Sequence, residues 1–204
     1  AALHAALPDG ACADACLSTT PGLACTIMVA DCLPVLLTDT QGTVVAAAHA
    51  GWRGLAGEGG VGVLETVFKD FSALALSGKA SEAIESIAND GMEGAAPLAA
   101  RTLAWLGPCI GPAAFEVGAE VREAFVQQHA EAAAAFVPSV NAGKFMADIY
   151  QLARIRLAAI GVTAVSGGGL CTYNDPRFYS YRRSARTGFC AGHGRRSAAA
   201  QDRG

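Results

Sequence analysis

Two residues of this sequence have types and surroundings that point to chemistry: Cys32 and His49. Cys32 ends Ala30-Asp31-Cys32, just ahead of the apolar run Leu33-Pro34-Val35-Leu36-Leu37, and His49 opens His49-Ala50-Gly51-Trp52-Arg53-Gly54. A thiolate and an imidazole brought together suit zinc or copper. The alternative is a buried thiol beside a core histidine bonded to backbone. Residue type alone favours that alternative, because free cysteine is among the most buried residues. Gly51 and Gly54 move the balance toward a site, since glycine lets backbone approach a ligand closely. Arg53 is a candidate clamp for phosphate or carboxylate, with an ion pair to Asp31 as the alternative. Trp52 can stack on an aromatic substrate, although tryptophan is more often a core residue.

Other candidates carry less. Cys109, in Gly107-Pro108-Cys109-Ile110-Gly111-Pro112, has no CxxC companion and reads as a buried thiol before it reads as a nucleophile or ligand. Tyr179-Ser180-Tyr181-Arg182-Arg183 mixes aromatic and basic residues. Read as a terminal strand, it sends Tyr179, Tyr181 and Arg183 to one face and Ser180 and Arg182 to the other. That gives either a pocket wall that meets an anion or a solvated edge. His4, His129 and His193 stand without companions. The seven cysteines (Cys12, Cys16, Cys25, Cys32, Cys109, Cys171 and Cys190) are odd in number and scattered, which argues against a disulfide framework.

The elements that must hold Cys32 and His49 follow from the turn signals. Leu23–Met28 is β-prone and runs through Cys32 into an apolar stretch ending at Thr38; Asp39-Thr40-Gln41-Gly42 is a turn, and residues 44–48 form a second strand. An antiparallel hairpin about that turn brings Cys32 and His49 into one neighbourhood. Pro34, lacking a donor, belongs at a strand edge, bulge or start. Further on, Leu64, Val67, Phe68 and Phe71 share one helical face over residues 61–71. Residues 72–98 read as a variable loop or helical insertion, and residues 103–106 as a third strand. Residues 117–125 and 130–136 read as helices. Residues 145–157 give the clearest helix, with Ile149, Leu152, Ala153, Arg156 and Leu157 on one face and Gly161 as its stop. Residues 162–165 make a strand. Strands and helices mixed without regular alternation favour a single α+β domain, a mixed sheet with helices packed around it. The tail, residues 189–204, lacks apolar periodicity and reads as disordered or aberrant.

The chain has 204 residues, 52% hydrophobic and 16% charged, enough for one substantial core. A net charge of -3 argues against nucleic acid as a partner. No apolar run reaches the roughly 20 residues of a membrane span, and the start shows no signal peptide, so a cytoplasmic protein is expected. The absence of an initiator Met predicts that the chain begins inside a longer protein.

Taken together, these motifs resemble the YfiH/YlmD family, also called the multicopper polyphenol oxidoreductase or laccase-domain family. The matching stretches are residues 30–37, 47–55, 105–112 with Phe115-Glu116-Val117-Gly118, Asp148-Ile149-Tyr150, Cys171-Thr172, and 178–183, spread over residues 13–188. The resemblance implies one α+β domain over residues 1–188 that lacks its N-terminal part, and a His-Cys-His metal site to which Cys32 and His49 supply two ligands. Its third ligand, a His in a Gln-Val-His-Gly type motif, has no match here and is expected just ahead of residue 1. After Gly188 the sequence departs from the family's closing strand.

Two activities have been described for such proteins: copper polyphenol oxidation, and purine nucleoside phosphorolysis (adenosine, inosine, guanosine, methylthioadenosine) with adenosine deamination. A laccase needs several coppers, which four histidines cannot ligate. A single His-Cys-His site with an open position is the pattern of a catalytic zinc. Zinc, with copper as the alternative, is therefore the expected cofactor, and a purine nucleoside and phosphate the expected partners. Asp31, Arg53, Arg182 and Arg183 are the expected catalytic residues: Asp31 to orient a ligand or handle a proton, the arginines to hold phosphate. Trp52, Tyr181 and Cys171 are expected to bind substrate. A cysteine hydrolase built on a Cys-His pair, acting on peptidoglycan precursors, and a non-catalytic metal-binding module are the rival readings.

Overall fold

The computed structural model describes residues 13–86 and 98–187, without the side chains of residues 78–86. The expectations for the tail, for His4 and His193, for Cys12 and Cys190, and for the insertion over residues 87–97 lie outside the described residues.

The strands alternate as a half-covered sheet demands. In β2 (Leu33–Asp39), Leu33, Val35 and Leu37 are buried, while Leu36 between them is exposed. A five-stranded sheet runs in the order β1 (Ala15–Ser18), β3 (Val45–Ala50), β2, β4 (Thr102–Leu106), β8 (Ala164–Gly167). Its pairs are antiparallel except the last, β4 with β8. The expected hairpin is present as β2 and β3. The inner face carries Leu33, Val35, Leu37, Ala46, Ala48, Ala50, Ala104 and Leu106, all buried. The small side chains of β3 let α2 (Val63–Ser86) approach closely, with Leu64, Val67 and Phe71 buried in the same core. The outer face keeps Leu36, Val45, Leu103 and Trp105 exposed.

A second sheet of β5 (Glu116–Gly118), β7 (Lys144–Ala147) and β6 (Phe136–Pro138) is antiparallel throughout. The helices α1 (Trp52–Ala56), α3 (Ala119–Val126), α4 (Ile149–Ala159) and α5 (Tyr181–Thr187) complete a mixed α+β domain. Among the described residues no helix is long and apolar enough to cross a membrane.

Several expectations are corrected. Leu23–Met28 forms no strand: β3 has two edges, and β2 and β1 take both, leaving Leu23 and Met28 exposed. Residues 145–147 belong to β7 and not to the following helix, which starts after Asp148, whose carboxylate accepts from Gln151 N at 3.1 Å. From Ile149 the expected buried face holds, and Gly161 stops the helix at φ 83°. Val117 lies in β5, residues 130–135 form a 3-10 helix, and Phe136 enters β6. The strand expected at residues 162–165 is shifted to β8. Residues 72–86 extend α2. The turn expected at Gly51-Trp52-Arg53-Gly54 contains a short helix, α1.

The terminal strand expected over residues 179–183 is a helix from Tyr181 onward. Local polar groups decide this: Ser180 Oγ accepts from Arg183 N at 3.1 Å and the Asp31 carboxylate from Arg182 N at 2.7 Å, satisfying first-turn donors. The alternation assigned to Tyr179, Tyr181 and Arg183 is thereby lost.

Candidate functional site

The hairpin register puts Pro34 opposite His49, so Cys32 lies across from the end of β3. Both side chains are partly buried. Between them sits Gly51, the N-terminal cap of α1. A Cβ at residue 51 would stand 3.1 Å from Cys32 Sγ and 3.6 Å from His49 Nε2. The sulfur and the ring nitrogen thus face a common space that only a glycine leaves open. Burial, reinforced by the carboxylates of Asp31 and Asp14, pushes the Cys32 thiol above its ordinary range, so a thiolate there calls for a nearby cation.

These groups border a cleft of about 260 Å³, lined also by Asp14, Trp52, Arg53 and Gly54. Arg53 does not pair with Asp31: its guanidinium lies over the Trp52 ring, 4.4 Å from the centroid. The two are exposed and half-buried respectively. Asp14 joins the cleft from just ahead of the edge strand β1. Its Oδ1 lies 3.0 Å from His49 Nδ1, and its carbonyl accepts from His49 N at 2.7 Å. The sequence reading missed Asp14, whose place next to His49 depends on the β1–β3 register and not on any local motif.

Asp31 lies behind Cys32 with φ 74°, a conformation that Asp tolerates better than most residues. It is buried, and its carboxylate accepts from Thr172 Oγ1 at 2.6 Å, Ser180 Oγ at 3.0 Å and Arg182 N at 2.7 Å. Thr172 and Ser180 were not singled out from sequence either. The Arg183 guanidinium donates to the carbonyls of Thr172, Tyr173, Asp175 and Phe178. The Arg182 guanidinium donates to the Glu116 carbonyl and lies over Phe115. Cys171 Sγ accepts from Gly111 N at 3.2 Å, and Tyr181 is 67% exposed. Arg182, Arg183, Cys171 and Tyr181 do not line the cleft that holds Cys32, His49, Trp52 and Arg53.

Cys109 is fully buried, and burial drives its thiol up to about 12. We expect iodoacetamide at pH 8 to leave Cys109 unlabelled in the folded protein and to label it once urea unfolds the chain. Peptide mass spectrometry reads both states, and rapid labelling of the native protein would contradict the burial argument. A larger groove of about 430 Å³ crosses the outer sheet face, lined by apolar residues including Leu36, Leu103 and Trp105, with Cys25 as its one titratable residue. The smaller cleft is the one that brings together a thiol, an imidazole, a carboxylate and a guanidinium.

The donor types at the cleft fit zinc or copper; the donor number is two, and among the described residues no three His, Cys, Asp or Glu side chains gather to hold a metal. Cys32 and His49 are therefore the residues able to contribute to such a site.

Comparison with known proteins agrees with the fold. The family model of the multi-copper polyphenol oxidoreductase laccases matches residues 2–194. A Pseudomonas aeruginosa protein named purine nucleoside phosphorylase is 59% identical over 177 residues, covering 86% of this chain and 62% of that one. The Escherichia coli purine nucleoside phosphorylase YfiH is 49% identical, with 86% of this chain and 60% of that one covered. The chain thus spans about three fifths of the length of these curated relatives. The crystal structure of Neisseria meningitidis protein NMB0706 superposes with a TM-score of 0.67 at 42% identity, covering 84% of this chain and 59% of that one. Bacillus licheniformis YfiH shares the fold, with a TM-score of 0.62 at 22% identity, covering 84% and 57%.

Proposed function

Because the chain belongs to the multi-copper polyphenol oxidoreductase laccase family, we propose that Cys32 and His49 are two of the three ligands of the metal site of a purine nucleoside phosphorylase. The observation that carries this reading is the convergence of Cys32 Sγ and His49 Nε2 beside Gly51, in the cleft that Arg53 lines. The names of the relatives, purine nucleoside phosphorylase, support the same class of reaction.

In phosphorolysis the glycosidic C–N bond breaks, a phosphate oxygen bonds the anomeric carbon, and the purine leaves with a proton, giving ribose-1-phosphate and free base. Arg53 is exposed, stacked and free of carboxylate partners among the described residues, so its fork can grip a phosphate. Trp52 fixes that fork and offers an aromatic wall. Zinc bound at Cys32 and His49 would supply Lewis acidity and, in adenosine deamination, an activated water. Asp31 holds the main chain ahead of Cys32 in place, which favours orientation over proton transfer, because both its oxygens already accept hydrogen bonds. Arg182 and Arg183 brace the same loops; the phosphate-holding part falls to Arg53. Adenosine, inosine, guanosine and methylthioadenosine are the proposed substrates, in an enzyme of the cytoplasm.

The laccase reading is weaker on ligand count. One-electron transfer to oxygen needs several coppers with their own ligands, and the cleft offers one thiol and one imidazole.

The test is inosine or adenosine with phosphate, following ribose-1-phosphate, for this chain and for the zinc-loaded full-length Pseudomonas relative. Turnover is expected, and Cys32→Ser or its counterpart should lower kcat/KM by at least about 100-fold, the upper end of what loss of a ligand's supporting partner costs. No ribose-1-phosphate from the full-length relative overturns the reading. A covalent thiol–substrate adduct by mass spectrometry would favour the cysteine hydrolase instead.

A further inference from the structure

We propose that Asp14 is a positioning residue for His49, fixing the ring tautomer that leaves Nε2 free to face Cys32. This rests on the metal reading of the cleft given above.

The argument begins with the sheet. Ala15 pairs with Ala48, so one residue further along the ladder Asp14 falls beside His49. The pairing continues there through the His49 N to Asp14 O hydrogen bond at 2.7 Å. From the same residue the carboxylate reaches His49 Nδ1 at 3.0 Å. One residue therefore holds both the main chain and the ring of His49, which fixes the ring's rotation as well as its position.

The chemistry of the acceptor then selects the tautomer. A carboxylate has lone pairs and no hydrogen to give, so Nδ1 must carry the proton. In a neutral imidazole that leaves Nε2 with a lone pair, and Nε2 is the atom turned toward the space shared with Cys32 Sγ. Histidine in water prefers the opposite form, with the proton on Nε2, which would aim a hydrogen at that space. Asp14 is the one carboxylate lining the cleft among the described residues, and the oxygens of Asp31 are turned to Thr172, Ser180 and Arg182. Stability gives no competing reason for the pair: the side chains of His49 and Asp14 are 34% and 68% exposed, and such ion pairs add little to folding. Orientation of a metal-ligating imidazole by a carboxylate is the use such a pair has.

The experiment uses two readouts on the chain as it is, comparing wild type, Asp14→Ala and Asp14→Asn. Long-range proton–nitrogen NMR correlations of the 15N-labelled metal-free protein, at a pH where imidazole is neutral, report the His49 tautomer; a His49→Ala variant assigns the signals. Wild type should show the Nδ1–H pattern, Asp14→Ala should shift to the Nε2–H pattern, and Asp14→Asn, whose amide oxygen still accepts, should stay near wild type. Cobalt(II) titration, followed by the thiolate charge-transfer band, should show affinity lowered about 10- to 100-fold in Asp14→Ala and less in Asp14→Asn. Metal-free thermal midpoints should agree among the three, which excludes unfolding as the cause. An unchanged tautomer in Asp14→Ala overturns the proposal, as does an unchanged cobalt affinity. A wild-type chain that takes up no cobalt overturns the metal reading of the cleft instead, and the tautomer then decides the role of Asp14 by itself.

Discussion

Arg156→Met should lower the free energy of unfolding by about 3–5 kcal/mol, the cost of leaving one partner of a buried ion pair uncompensated. Arg156 is 1% exposed, the largest fully buried side chain among the described residues. Its Nε lies 2.8 Å from Glu65 Oε1, an ion pair whose N–H is not aligned as a hydrogen bond. Its other nitrogens donate to Gln128 Oε1 and to the Gly60 carbonyl. One guanidinium so ties α4 to α2, to the segment after α3, and to the glycine-rich turn before α2. Methionine fills a similar volume and supplies none of these donors. Glu65, with 17% of its side chain exposed, would keep, among the described residues, the Gly62 N–H at 2.9 Å. Urea unfolding measures the loss, with the slope m expected to stay unchanged. The Arg156→Met, Glu65→Leu double variant should recover part of it, because no charge is then left unpaired, while Gln128 Oε1, the Gly60 carbonyl and the Gly62 N–H still lose their partners. A loss below about 1 kcal/mol for the single variant, an ordinary surface effect, would contradict this account.

Asp31→Ala should cost about 3 kcal/mol or more and loosen the Cys32–His49 cleft at the same time. Hydrogen bonds to a charged group each contribute about 1.5–3 kcal/mol, and this carboxylate accepts three, although their effects do not simply add. Alanine also fits φ 74° less well than aspartate does. The three donors come from residues 172, 180 and 182, so the substitution releases two distant loops from the segment that carries Cys32. Asp31→Asn keeps one good acceptor and tolerates the backbone conformation, and should fall between wild type and alanine. Urea unfolding gives the stability change, and cobalt uptake gives the effect on the cleft. An Asp31→Ala protein of wild-type stability with wild-type cobalt affinity would remove Asp31 from the site altogether.

Much of this was readable in the residues. The apolar run from Leu33 to Thr38, the turn over residues 39–42 and the second strand made the β2–β3 hairpin legible, and with it the closeness of Cys32 and His49. The 3.6-residue period of Leu64, Val67 and Phe71, and of Ile149 to Leu157, located α2 and α4. The family was legible too, because its motifs are short, continuous and centred on the site. Element ends were less so. Phe145 continues the apolar spacing of α4 yet pairs as β7, since a side-chain pattern does not record which backbone finds a ladder partner. Arg156 fell on the expected helical face, but its charge there made sense only once Glu65, Gln128 and Gly60 were beside it.

The sequence by itself determined the local periodicities, the hairpin, the α+β class and the pairing of a cysteine with a histidine, because each depends on residues close in the chain. Tertiary structure alone decided what surrounds that pair. Asp14 reaches His49 through a strand register set 35 residues away. Asp31 is held by residues 141 and 149 positions later. Its carboxylate helps satisfy the donors that turn residues 181–187 into a helix. Hydrogen-bond partners of that separation are chosen by which edges and donors the rest of the fold leaves unpaired, and no local pattern encodes that choice.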